Sequence, residues 1–296
     1  MTRTAIAVDI GGTKVAAAWV DEYGTVSQKR LLPTPHTADI LPAVAALCRE
    51  LMTPEIVGIG VATAGQVDPA TGIITHAVDT LPGWTGANIR AALAQEFSLP
   101  LAVENDVNAL ALAEQRFGAA RGFDRVLCVA VGTGVGGALI ANGQVEHGAH
   151  FSAGEVGHVL VDYRGGRACT CGLNGHLEAY ASGPAIAADY AARVGVSQMI
   201  PLPEVVQRAH EGDVIAREVV QEGARVLGLC INGLLNVFDP QAVIVGGGVV
   251  EIGALWWEPF AAACQVGIMP AAHGLILRRA MLGVDAPLIG AGCLIL

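Results

Sequence analysis

Three times along the chain an apolar run ends in a glycine cluster: AIAVDIGGTK at 5–14, RVLCVAVGTGVGGA at 125–138 and AVIVGGGV at 242–249. The first two runs share a further pattern. Each continues through a second apolar piece, VAAAWV at 15–20 and ALIA at 138–141, into another turn. That order reads as strand, tight turn, strand. It excludes the phosphate loop G-x-x-x-x-G-K-[ST], which needs a longer spacing and opens a helix; here Lys14 follows Thr13 and a strand follows both. A glycine hairpin can still hold an anion, because backbone N–H groups approach closely where no Cβ intervenes. Taken singly, each turn is equally a plain tight turn. In order, the three point to a bound nucleotide, and the echo between the first two suggests duplicated halves facing a shared ligand.

A chain of 296 residues is long enough for two domains with their own cores, and two domains imply a cleft. The apolar fraction of 53% is drawn mainly from Ala, Val and Leu, and 38 glycines stand beside it, which fits packed α/β layers. A net charge of −10 without a basic cluster argues against a nucleic-acid surface, so any nucleotide is a small one. The charge-free stretch 126–145 has the length of a membrane span, but its glycines, Thr133, Asn142 and Gln144 indicate a buried hairpin. With no basic and then apolar leader at the N-terminus, a cytoplasmic protein with no membrane partner is expected. Cys48, Cys128, Cys230, Cys264 and Cys293 stand singly in apolar surroundings and read as reduced core thiols. Cys169 and Cys171, a C-x-C pair beside histidines, suggest metal.

Between the glycine turns the pattern alternates: helix near 39–52, strand 55–62, helix near 87–97, strand 99–105, and a helix ending at Gly118. A glycine-rich coil at 164–175 precedes a helix opening near 182, a long helix at about 213–236 and an apolar helix at 286–296. The expected domains are 1–118, completed by a C-terminal helix at about 284–296, and 119–283, which carries the metal segment.

These residues resemble the ROK sugar kinases of the hexokinase and actin superfamily, over nearly the whole chain. DIGGTK at 9–14 is similar to the family's first phosphate loop, VGTGVGGA at 131–138 to its second, and VGGGV at 245–249 to its adenosine-side turn. GEVGH at 154–158 and CTCGLNGHLE at 169–178 resemble the family signature and metal segment. The resemblance implies a two-domain, actin-like (ribonuclease H-like) α/β fold with an interdomain cleft. It also implies ATP and Mg²⁺ as cofactors, a structural Zn²⁺, and a homodimer or higher homo-oligomer. Family repressors carry a DNA-binding domain first; here the phosphate-loop strand begins by about residue 4, so a kinase is expected rather than a regulator.

Phosphoryl transfer to an alcohol needs positioned phosphates, a placed hydroxyl and a proton acceptor. VENDVN at 103–108 ends a strand and opens a helix. On residues alone, Asp106 is either the helix N-cap or a group reaching into a cleft; the resemblance makes it the general base for the sugar 6-hydroxyl. By the same resemblance Gly65, Asn105, Asp106, Glu155, His158 and Glu178 bind the sugar. Asp9 supports Mg²⁺, and Gly11, Gly12, Thr13, Lys14, Gly132, Thr133, Gly134, Gly246, Gly247 and Gly248 hold the nucleotide, with no catalytic step assigned to Lys14. The metal set is His158, Cys169, Cys171 and His176, a departure from the family, which has a third cysteine at the position of His176. Cys₂His₂ is still a sound tetrahedral zinc set. The expected activity is phosphorylation of a hexose or N-acetylhexosamine, with N-acetylmannosamine favoured on ATAGQV and AYASG. Glucose is the alternative, and a non-catalytic sugar sensor is a third reading.

Overall fold

A computed structural model describes residues 2–77, 81–269 and 274–296. Positions 78–80, in the run ITHAVDTLPGW that follows ATAGQV, lie outside it. In chain order the elements are β1 (Thr4–Ile10), β2 (Lys14–Asp21), β3 (Val26–Pro33), α1 (Thr37–Leu51), β4 (Ile56–Thr63), β5 (Gln66–Asp68), β6 (Ile73–His76), α2 (Ile89–Ala94), β7 (Leu101–Asn105) and α3 (Asp106–Phe117). There follow β8 (Val126–Val131), β9 (Val135–Ala141), β10 (Gln144–Val145), α4 (Glu178–Ala181), α5 (Gly183–Arg193), α6 (Leu202–His210), α7 (Val214–Phe238), β11 (Ala242–Gly246), α8 (Ala254–Cys264), β12 (Ile276–Arg279) and α9 (Ala286–Cys293).

The echo in the sequence is a topological one. One five-stranded sheet has the order β3-β2-β1-β4-β7, the other β10-β9-β8-β11-β12. In each, a glycine hairpin supplies strands on one side and parallel strands continue on the other. The stretch 126–145, long enough to raise a membrane question, is the hairpin of the second sheet. No helix among the described residues is long and apolar enough to cross a membrane.

Two compact units divide the chain: Met1–Gly122 with Leu139–Ala153 and Met281–Leu296, and Phe123–Ala138 with Gly154–Ala280. The sequence pattern puts 139–153 in the second domain; in the fold those residues, with α9, belong to the first unit. In that unit β1 is buried on both faces, which explains its unbroken apolar run. Because side chains alternate across a strand, Ile6, Val8 and Ile10 pack with Ile40, Val44, Leu47 and Leu51 of α1, while Ala7 packs with Ala109 of α3 and Leu288 and Ala291 of α9. The small side chains let α9 lie close to the sheet.

In the second unit β8 and β11 are almost wholly buried, and α7 runs 25 residues from its cap, Asp213, whose carboxylate accepts Ala216 N–H. The helix expected over 87–97 is shorter, six residues capped by Asn88. Hairpin β5–β6, α6 and α8 were not anticipated; α8 carries Trp256, Trp257 and Phe260, a density of aromatics that obscures helical spacing.

Candidate functional site

In the first unit the site is built at one edge of the sheet. Strands β1, β4 and β7 run parallel, with Ile10 beside Thr63 and Thr63 beside Asn105. The three strands therefore release their chains together: the turn Gly11–Lys14, then Gly65, then Asn105–Asp106. Carboxyl ends of parallel strands are where α/β sheets present ligand groups. Gly11 N–H closes the first turn on Lys14 O at 3.0 Å, leaving Gly12, Thr13 and Lys14 exposed.

Asn105, not Asp106, is the N-cap of α3. Its Oδ1 accepts Val107 N–H at 2.9 Å and Asn108 N–H at 3.1 Å, and its Nδ2 donates to Gly65 O at 2.9 Å and Asp106 Oδ1 at 3.1 Å. Asp106 is the first helical residue, and Oδ1 also accepts Val107 N–H at 2.9 Å. A carboxylate there is favoured by the positive end of the helix. The capping alternative for Asp106 is thus met by its neighbour.

Asp9 is half-buried near the end of β1, between the fully buried Val8 and Ile10. Burial pushes its carboxyl up to about 6, against the pull of Lys14 and Lys29, and Asp285 adds to the rise. Lys29 and Asp285 are themselves an ion pair. Among the described residues no hydrogen-bond donor serves the Asp9 carboxylate.

In the second unit the other two glycine turns leave adjacent strands, β8 and β11. Gly132 N–H bonds Gly134 O at 2.9 Å, and Val249 N–H bonds Val131 O at 3.0 Å. Gly247 has φ +95°, and a Cβ there would lie 2.3 Å from Val131 O, so no other residue allows this approach. Thr133, Gly247 and Gly248 face solvent, whereas Gly246 is buried as the last residue of β11.

Glu155 and His158 lie on a short 3₁₀ turn after β10. The His158 ring points two ways: Nδ1 is 3.7 Å from Cys169 Sγ and Nε2 is 3.8 Å from Glu155 Oε2. Cys171 Sγ is 3.1 Å from His176 Nδ1. Ligand atoms of His158, Cys169, Cys171 and His176 all fall within 4.8 Å of one another. A tetrahedral zinc with ordinary bond lengths sets its N and S ligands roughly 3.6 Å apart, so this donor set fits that ion.

Glu178, 9% exposed, joins the metal segment to the second glycine turn. Its Oε2 accepts Val135 N–H at 3.0 Å and its Oε1 accepts the Thr170 hydroxyl. A Cβ on Gly134 would sit 2.6 Å from Oε2. Thr170 was not singled out from sequence, nor were Glu104, whose Oε1 accepts Asn105 N–H at 2.8 Å, and His147, whose Nε2 lies 2.6 Å from Glu104 Oε2. Glu104 stands inside VENDVN, where a carboxylate closing an apolar strand was itself a signal; His147 gave none.

The ROK family profile matches residues 5–296. A glucokinase of Halalkalibacterium halodurans is 34% identical over 317 aligned positions, covering 99% of this chain and 95% of that one. An N-acetyl-D-glucosamine kinase of Salmonella gallinarum is 29% identical, covering 97% of each. The crystal structure of a ROK glucokinase from Streptomyces griseus with glucose and AMPPNP superposes with a TM-score of 0.85 at 34% identity, covering 99% of both chains.

Proposed function

The chain belongs to the ROK family, and on that premise we propose that it is an ATP-dependent sugar kinase acting on the 6-hydroxyl of a hexose or N-acetylhexosamine. One observation carries the reading: a glycine turn, Gly65 and the Asn105–Asp106 pair leave three parallel strands in register. Asp106 accepts the O6 proton as O6 attacks the γ-phosphorus and ADP departs. Asn105, Gly65, Glu155 and the Nε2 side of His158 bind sugar hydroxyls. Glu178 keeps a lone pair on Oε2 beyond the Val135 N–H bond, Oε1 already accepting Thr170 and Cys169, and takes one hydroxyl there. The three glycine turns bind the nucleotide.

The Asp9 carboxylate, half-buried and with no hydrogen-bond donor among the described residues, suits a cation beside the phosphates and would hold the Mg²⁺ shell directly or through water. When bound, Mg²⁺ neutralises charge on the transferred group. Zinc would be held by His158, Cys169, Cys171 and His176, and supplies cross-linking of the coil rather than chemistry.

Glucose is placed first, since relatives at 34% identity are glucokinases. The lean to N-acetylmannosamine rests on ATAGQV and AYASG alone, and an N-acetyl-D-glucosamine kinase is among the relatives. A coupled assay for ADP release over glucose, mannose, N-acetylglucosamine and N-acetylmannosamine decides among them. The highest kcat/KM names the substrate; sugar binding with no ADP release from any of them would establish a sensor instead.

A further inference from the structure

Glu104 is a carboxylate that the mechanism above leaves unused, and it is only 3% exposed. Its Oε1 accepts the backbone N–H of Asn105 at 2.8 Å and Asn108 Nδ2 at 2.9 Å. Its Oε2 lies 2.6 Å from His147 Nε2. Both ends of the Asn105–Asp106 turn are therefore tied to one side chain: the residue that opens it and the first-turn asparagine that follows it.

A buried carboxylate is costly unless it is paired and fully hydrogen-bonded. Among the described residues the partner within ion-pair distance is His147. It comes from the segment after β10, far along the chain, which leads in sequence to Glu155. The groups facing the imidazole are Glu104 and, less closely, Glu146; burial acts against both. The net result holds His147 protonated above the usual imidazole range, with the Glu104 hydrogen bond as the largest cause.

We propose that His147 is a positioning residue for phosphoryl transfer, acting through Glu104 to fix the turn that carries Asn105 and Asp106. The proposal rests on Asp106 as the base. Protonated His147 donates a charge-assisted bond to Glu104, and a base displaced by an ångström loses much of its rate. The charged pair is present below the raised titration point of His147 and weakens as pH rises through it. The kcat profile therefore gains a falling alkaline limb that Asp106, a base needed deprotonated, does not produce.

The test uses the full chain. In wild type, NMR titration finds His147 titrating above free imidazole, and in Glu104→Gln it moves down. His147→Ala lowers kcat on the order of tenfold, with ATP KM little changed and faster amide exchange at Val107 and Asn108. His147→Gln retains a neutral donor, recovers part of kcat and loses the alkaline limb. Free-imidazole titration in wild type overturns the proposal, as does a Gln variant no better than Ala, or wild-type kcat and profile in the Ala variant. Wild-type protein inactive on every sugar would sink the kinase reading instead, while the titration and exchange arms still judge the pairing.

Discussion

The turn after β7 and the segment from Gly154 to Glu178 both carry groups proposed above to bind the sugar, but different forces hold them. The first is an outgrowth of regular structure: parallel strands set its place, and Asn105 caps the helix that follows. The second has almost no regular structure. It is held by single side chains, with Tyr180 donating to Asp162 at 3.0 Å and Arg167 stacked 4.8 Å over the Tyr180 ring while pairing with Asp189 at 2.9 Å. Backbone bonds from Val161 and Asp162 to Gly175 O add to these. A site group borne on a sheet edge can be changed with little effect on the fold. One borne on a side-chain cluster cannot.

The largest separation of the two should come from Asp106→Asn. The amide still accepts Val107 N–H and the Asn105 bond, so the turn keeps its shape and sugar binding survives. It cannot take the proton, and kcat should fall by roughly 10²–10⁴-fold. A loss within about tenfold would remove Asp106 as the base. Calorimetry should show an unchanged melting temperature, the signature of a sheet-borne group.

Metal removal should give the opposite signature, function and stability failing together. Purified protein should hold one zinc per chain by elemental analysis, and a chelator should lower Tm and raise sugar KM at least about tenfold. The tyrosine and arginine pins of the coil keep the loss local to the segment, so the second unit should stay folded. His176→Ala should lose zinc and His176→Cys retain it. Undiminished zinc in the alanine variant would take His176 out of the set.

A smaller effect tests the link between the segment and the nucleotide. Gly134→Ala pushes a Cβ against Glu178, and the carboxylate must leave Val135 N–H. Losing that charge-assisted bond, worth about 1.5–3 kcal/mol, should raise KM for both ATP and sugar. A rise in ATP KM alone would show that Glu178 serves the turn and not the sugar.

How much of this was legible follows the same division. The glycine hairpins, β4, β7, α3, α5, α7 and α9 were readable because apolar period and glycine turns are local. C-x-C beside histidine suggested a metal and the family resemblance supplied the four residues, whose ligand atoms do converge. What escaped depends on distance along the chain. Glu104 and His147 are 43 positions apart, as are Val135 and Glu178, and no local pattern pairs them. The sequence offered Asp106 as the N-cap, one residue late, since Asn and Asp cap equally well. The membership of 139–153 in the first unit is likewise a matter of packing.

The smallest effect concerns Asp9, and it is one of stability against pH. Its carboxyl titrates at about 6 in the folded chain, above the ordinary 3.8, because burial disfavours the charge more than Lys14 and Lys29 favour it. The folded state therefore holds this proton where the unfolded state has released it. Stability from this group is highest below about 4, falls as pH rises toward 6, and the full cost stands above 6. A carboxyl displaced that far corresponds to about 2–3 kcal/mol. Asp9→Asn carries no charge to bury. In ligand-free protein it should raise stability at about pH 7.5 by about 2 kcal/mol and flatten the slope between about pH 4 and 6, as read from urea midpoints. At the same time it should abolish the nucleotide's Mg²⁺-dependent stabilisation. A variant no more stable than wild type at that pH would mean that water reaches Asp9 freely, and that β1 ends in a solvated carboxylate rather than one held ready for a cation.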